Sequence, residues 1–285
     1  MRIQHNITAL NAHRNLTTNN SSLTKNLEKL SSGYRINRAG DDAAGLAISE
    51  KMRAQITGIA TAKKNAEDGV SLVQTAEGAL TEVHSMLNRM VELATQSANG
   101  TYSQKNREEM QKEINALNAE IDRIGATANF NGTKLFTGDV DTIALHVGEE
   151  GTTDNQLSVT LAEMSSSNIA GIKVDGSVDT AIDVSAIDIT SATDAKDAIS
   201  VINSAIDAIS SVRSSFGALQ NRLEHTINNL SVQHENISSA ESRIRDVDMA
   251  QEMMAYTKNN ILVQASQAML AQANQVPQGV LQLLQ

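Results

Sequence analysis

Residues 195–247 read AKDAISVINSAIDAISSVRSSFGALQNRLEHTINNLSVQHENISSAESRIRDV. Taken every seventh residue from Ile202 they give Ile202, Ile209, Phe216, Leu223, Leu230, Ile237 and Ile244, all apolar and uninterrupted by proline. A seven-residue recurrence means one helix offering a continuous seam to other helices. Ala205, Val212, Leu219, Ala240 and Val247 widen the seam. At about 1.5 Å rise per residue such a stretch makes a rod of roughly 75 Å, so it needs partner helices of matching length.

The partner stands earlier in the chain. From Met52 the same spacing gives Met52, Ile59, Ala66, Val73, Leu80, Leu87 and Ala94, again apolar throughout. A shorter third stripe, Met110, Ile114, Leu117, Ile121 and Ile124, alternates steps of four and three and is expected to stop at Gly125. Three such stripes predict a mainly α fold, an elongated bundle of long coiled-coil-like helices built from both chain ends. Beyond Gly125 the period falls to two: Ile143, Leu145 and Val147, then Leu157, Val159 and Leu161, joined by the turn-like GEEGTTDN. That pattern predicts a small central β-hairpin. Residues 171–193, rich in Asp, Ser and Thr, read either as one or two further short strands or as a surface excursion.

Composition narrows the function. The net charge of −10 is spread along the helices, without the basic patch that nucleic-acid binding leaves. There is no cysteine, which excludes disulfides and thiolate metal sites. The N-terminal MRIQHNITALNAHRN lacks the apolar core of a general secretory signal, and no run approaches the roughly 18 apolar residues of a membrane span. The six histidines are scattered, and His234-Glu235 lacks the second histidine of HExxH. GxGxxG, P-loop, GxSxG and CxxC patterns are missing, so neither enzyme activity nor a cofactor is expected.

The two ends differ from the rods. Residues 1–33 carry only broken apolar patches, Ile3, Ile7 and Leu10, then Leu23, Leu27 and Leu30, with polar residues between. Such a segment is marginal as an isolated helix. After Lys258 no charged residue occurs; Ile261, Leu262, Ala265, Met269, Val280 and Leu283 are interleaved with amides. Charge is excluded from buried surfaces, whereas amides are tolerated there if hydrogen-bonded. The composition therefore predicts a helix exposed in the monomer and buried when many copies assemble. Asp41 or Asp42, just after Gly40, is placed to cap the helix that follows.

The stretch LSSGYRINRAGDDAAGLAISEKMR, residues 30–53, resembles the N-terminal signature of bacterial flagellins, the subunits of the flagellar filament. NRLEHTINNL, ENISSAESRIRDVDMAQEM and KNNILVQASQAMLAQANQVPQGVLQLL match the C-terminal signature as closely. The resemblance implies a filament-core domain from residues 1–44 and 248–285. It implies an outer helical domain from residues 45–170, with the hairpin, and 194–247, leaving 171–193 as a short variable insertion. It further implies a homopolymer that serves swimming, contacts to cap and hook-junction proteins, a cytoplasmic secretion chaperone, and export through the flagellar channel without a cleaved signal peptide. Flagellins are also sensed by an animal Toll-like receptor, and Arg89, Leu93 and Glu113 fall on the matching ridge. Val91 and Leu117 depart from that ridge pattern, each standing where arginine is common. The nearest rival is a hook–filament junction protein, which shares the terminal pattern less closely. A signalling hairpin of long helices would want the membrane span that is missing.

Overall fold

The structure is a computed structural model and describes residues 6–138, 142–169, 171 and 181–283; over residues 276–283 it describes the helical backbone alone. Ile3 and most of residues 171–180 therefore lie outside the described residues, as do the side chains of Val280 and Leu283. The helices are α1 (Ile7–Ser32), α2 (Ala43–Ala98), α3 (Gln104–Thr127), α4 (Ala192–Arg245) and α5 (Met249–Leu283). Between α3 and α4 lie β1 (Asn129–Phe130), β2 (Thr133–Lys134), β3 (Thr142–His146), β4 (Gln156–Thr160), β5 (Met164–Ser165) and β6 (Asn168–Ile169), paired successively as three antiparallel two-stranded sheets. The chain divides into two compact units, one of Met1–Ile56 with Glu235–Gln285, the other of Thr57–His234.

In the larger unit the heptad stripes meet. Ile59, Val73, Leu80 and Leu87 of α2 and Ile202, Ile209, Phe216, Leu223 and Leu230 of α4 are buried, and all but Ile59 and Leu230 join Ile114 and Ile121 of α3 in one hydrophobic cluster. The alternation read between 143 and 161 becomes the β3–β4 hairpin, with Ile143 opposite Val159 and Leu145 opposite Leu157. Asn65 Nδ2 on α2 donates to the His146 carbonyl at 2.9 Å, which ties the hairpin to the bundle. Asn131 and Gly132, at φ 50° and 83°, form the two-residue turn between β1 and β2, where positive φ at both positions favours Asn-Gly.

One expectation about this unit needs correction. Helix α3 does not stop at Gly125 but continues to Thr127. Gly125 is buried inside the helix, because the Met164 carbonyl of β5 approaches so closely that a Cβ would stand 1.9 Å from it. Of the two readings of 171–193, the described part follows the extended, strand-like one rather than the surface excursion. Ile182 exchanges two 3.0 Å backbone hydrogen bonds with Ile169, and Val184, Ile187 and Ile189 are buried. Side chains of α3 hold this extended segment: Asn118 donates to the Val184 carbonyl, and Gln111 donates to the Ile187 carbonyl and accepts from the Ile189 amide. Helix α4 then begins at Ala192, inside the span read as an insertion.

The smaller unit has a thin core. Among its described residues Ile36 is the one buried hydrophobic side chain, and α1 buries none. Gly33 closes α1 in the left-handed conformation at φ 76°, its amide donating to the Lys29 carbonyl. The Arg35 amide then donates to the Arg245 carbonyl at 2.7 Å and the Val247 amide to the Gly33 carbonyl at 3.0 Å. Of the two candidate aspartates Asp42 is the helix cap, its Oδ1 accepting from the Gly45 amide at 2.9 Å. Asp41 accepts instead from the Asn37 and Arg38 amides, which hold its carboxyl below the usual aspartate range, Arg38 contributing most.

Candidate functional site

The paired helices α1 and α5 carry the residues singled out for assembly, Ile3 apart. Their contact is partly polar: Asn6 Nδ2 donates to the Ala273 carbonyl at 2.7 Å and Asn19 Nδ2 to Ser266 Oγ at 3.1 Å. Such bonds satisfy amides inside the pair, as burial requires. Leu16, Leu23, Leu30 and Val263 are half-buried beside them. Ile7, Leu10 and Leu27 of α1 and Ile261, Leu262, Ala265 and Met269 of α5 are exposed, Ile261 at 60% and Met269 at 66%. Ordinary folding leaves few large apolar side chains in water, and a cluster of them marks an interaction surface.

The seam behaves differently in the two units. The heptad-stripe members of α2 and α4 that belong to the larger unit are buried, whereas Met52, Ile237 and Ile244, which belong to the smaller one, are only half-buried. Sequence reasoning passed over Met253 and Met254, exposed on α5, and the partly exposed Tyr34. Tyr34 lies under the Arg245 guanidinium, 4.6 Å from ring centroid to Cζ.

On the expected receptor ridge, Arg89 Nε donates to Glu113 Oε1 and Arg89 Nη1 to Glu92 Oε2, each at 2.8 Å. Glu113 first, then Glu92, raises the arginine's pKa by binding its charged form. All three side chains remain substantially exposed. Leu93, one turn on from Arg89, is 2% exposed and sits in the core cluster with Leu87 and Met90. Among the described residues no group of three His, Asp or Glu is placed to hold a metal ion, and no helix is long and apolar enough to cross a membrane.

Comparison with known proteins decides what this arrangement belongs to. Residues 3–141 match the bacterial flagellin N-terminal helical region, and residues 199–284 the bacterial flagellin C-terminal helical region. The chain belongs to the flagellin family. It is 53% identical to the flagellin of Bacillus subtilis (strain 168) and 54% identical to that of Halalkalibacterium halodurans, each alignment covering 100% of both chains. Among solved structures, a protein described as flagellar hook-associated, from Vibrio parahaemolyticus, shares the fold at a TM-score of 0.58 and 14% identity, over 72% of this chain and 100% of that one. As a flagellin the chain is a structural protein and not an enzyme: it polymerises with itself into the bacterial flagellar filament, outside the cell. At 285 residues, with only residues 142–198 between the two matched regions, it is a short form.

Proposed function

We propose that the apolar residues left outside the α1–α5 pair are the surface on which filament subunits bind one another. In this reading Ile7, Leu10, Leu27, Ile261, Leu262, Ala265 and Met269 are buried by neighbouring copies, and Leu23 and Leu30 hold the pair that presents them. Ile3, Val280 and Leu283 extend the surface in sequence. The half-buried seam members Met52, Ile237 and Ile244 gain cover from the same neighbours. The observation that carries the proposal is the exposure of Ile261, Ala265 and Met269 within a run that has no charge after Lys258.

Residues 1–44 and 248–285 then make the filament core, and 45–170 with 194–247 the outer helical domain. Cap and hook-junction proteins meet the same surface at the filament's ends. A cytoplasmic chaperone covers the C-terminal segment before export through the flagellar channel without a cleaved signal peptide. An animal Toll-like receptor meets the ridge of Arg89 and Glu113, with Leu93 supporting it from beneath.

Ala265→Asp tests the central point. The carboxylate is wet in the monomer and costs the fold little. Between subunits it is buried with no cation on its own segment, and an unpaired buried charge costs several kcal/mol. Sedimentation should show polymerisation lost, or moved to far higher concentration, while the circular-dichroism melt of the monomer is unchanged. Normal filaments from this variant would mean that the face is solvated in the polymer.

A further inference from the structure

The chain has ten methionines, and among the described residues the four exposed ones, Met249, Met253, Met254 and Met269, all lie on α5. Met90 and Met164 are buried in the larger unit; Met52, Met86 and Met110 are half-buried. The two most exposed are Met254 at 68% and Met269 at 66%. With about 100° between successive residues, Met254, Ile261, Ala265 and Met269 fall within one sector of roughly 80°. Two thioethers thus bracket an apolar face, open to solvent in the free subunit, on which Lys258 is the one charge.

A thioether is nucleophilic at sulfur, and its oxidation replaces a flexible apolar group with a polar sulfoxide. We propose that Met254 and Met269 are oxidative modification sites through which peroxide blocks subunit assembly. The sulfur lone pair attacks one oxygen of hydrogen peroxide, the S–O bond forms as the O–O bond breaks, and the departing hydroxide takes the proton from the transferred oxygen. Sulfoxide and one water result; sulfur is oxidised by two electrons and the peroxide reduced by two. The new S=O dipole needs a hydrogen-bond donor when a neighbouring subunit covers it, and burying it without one is unfavourable. The free subunit keeps its fold, because the buried methionines of the larger unit are shielded. The proposal rests on the assembly surface described above.

The test treats full-length monomer and preformed filament with hydrogen peroxide, mapping oxygen addition by peptide mass spectrometry and measuring the critical concentration by sedimentation. In monomer, Met254 and Met269 should oxidise well ahead of Met90 and Met164, and the critical concentration should rise about tenfold or more. Methionine sulfoxide reductase should restore assembly, and a Met254→Leu, Met269→Leu variant, near in volume, should assemble normally after the same treatment. Unchanged assembly with both sulfurs converted would overturn the proposal, as would failure of the reductase to restore it. In filament the two sulfurs should react at least about tenfold more slowly. Equal rates in filament and monomer would instead overturn the assembly-surface reading, whatever oxidised monomer does.

Discussion

The Arg245 guanidinium lies over the Tyr34 ring, 4.6 Å from its centroid, and its Nη1 reaches Glu50 Oε1 at 2.9 Å. The same neighbourhood holds the backbone bonds between Gly33–Arg35 and Arg245–Val247, so one side chain braces the chain where α1 ends and where α4 ends. The arginine side chain is mostly buried, at 13% exposure, in a unit that otherwise has little core. A partly desolvated cation over a ring is worth about 0.5–2 kcal/mol.

Arg245→Lys should therefore weaken the clasp without abolishing it, because an ammonium lacks the planar group that stacks on the ring while contacting a carboxylate. Hydrogen exchange at the Arg35 and Val247 amides, which report opening of this clasp, should quicken by about threefold to thirtyfold. Tyr34→Phe keeps the ring and should leave both rates near the wild-type values. Equal effects of the two substitutions would mean that the tyrosine hydroxyl, not the ring, carries the contact.

How much of this was legible depended on whether the signal was local. The stripe from Ile202 to Leu223 states its period in every turn, and its burial followed. The same period continues through Ile237 and Ile244, yet they are only half-buried. Periodicity tells which face is apolar, not whether the chain itself covers that face. Leu93 shows the reverse limit: a motif placed it on a ridge, while its step next to Ala94 places it in the seam. The pairing of Tyr34 with Arg245 joins residues far apart in sequence, and neither residue announces it. Gly125 read as a helix stop because glycine ends helices often; the approach of the Met164 carbonyl is a tertiary fact that no local pattern encodes.

Acid should act on the loop before α2. The Asp41 carboxylate is held below its ordinary value of 3.8 by the amides of Arg38 and Asn37. A depressed folded-state pKa contributes stability that is present above the unfolded value and is lost as pH falls through the folded one. Thermal melts of wild type and Asp41→Asn should therefore differ at neutral pH, with the wild type higher. The gap should close below pH 3.8 as the carboxylate protonates. A gap that stays constant down to strong acid would remove the carboxylate's charge from the account.

The ridge makes two separable predictions. Arg89 is already held by Glu113 and Glu92, so a receptor that uses it gains a pre-oriented guanidinium. Arg89→Ala should lower binding of monomer to an animal Toll-like receptor by about tenfold or more, as truncation of interface arginines often does. Its melting should be little changed, since exposed ion pairs contribute little. Leu93→Ala should do the opposite in the first instance: truncating a buried leucine costs about 2–5 kcal/mol. Binding assays on both variants, beside their melts, check the division. Receptor binding indifferent to Arg89→Ala would place the contact elsewhere.

Two glycines in helices separate propensity from packing. Replacing a helical glycine by alanine ordinarily stabilises by about 0.8–1 kcal/mol. At Gly78 of α2 a new Cβ meets nothing within 4 Å, so Gly78→Ala should realise that gain. At Gly125 of α3 the same methyl would stand 1.9 Å from the Met164 carbonyl oxygen, a backbone atom of β5 that cannot rotate aside. Either α3 or β5 must move, and overpacking of this kind costs about 1–3 kcal/mol or more, enough to outweigh the propensity gain. β5 also leads into Ser166, whose amide and hydroxyl both donate to Asp122 on α3, so a shift of the strand strains those bonds as well. For a unit of this size about 1 kcal/mol moves the midpoint by roughly 2–4 °C. Monomer melts should therefore show Gly78→Ala raising the midpoint by a few degrees and Gly125→Ala lowering it by at least as much. A Gly125→Ala protein as stable as Gly78→Ala would show that α3 and β5 do not pack this closely in solution.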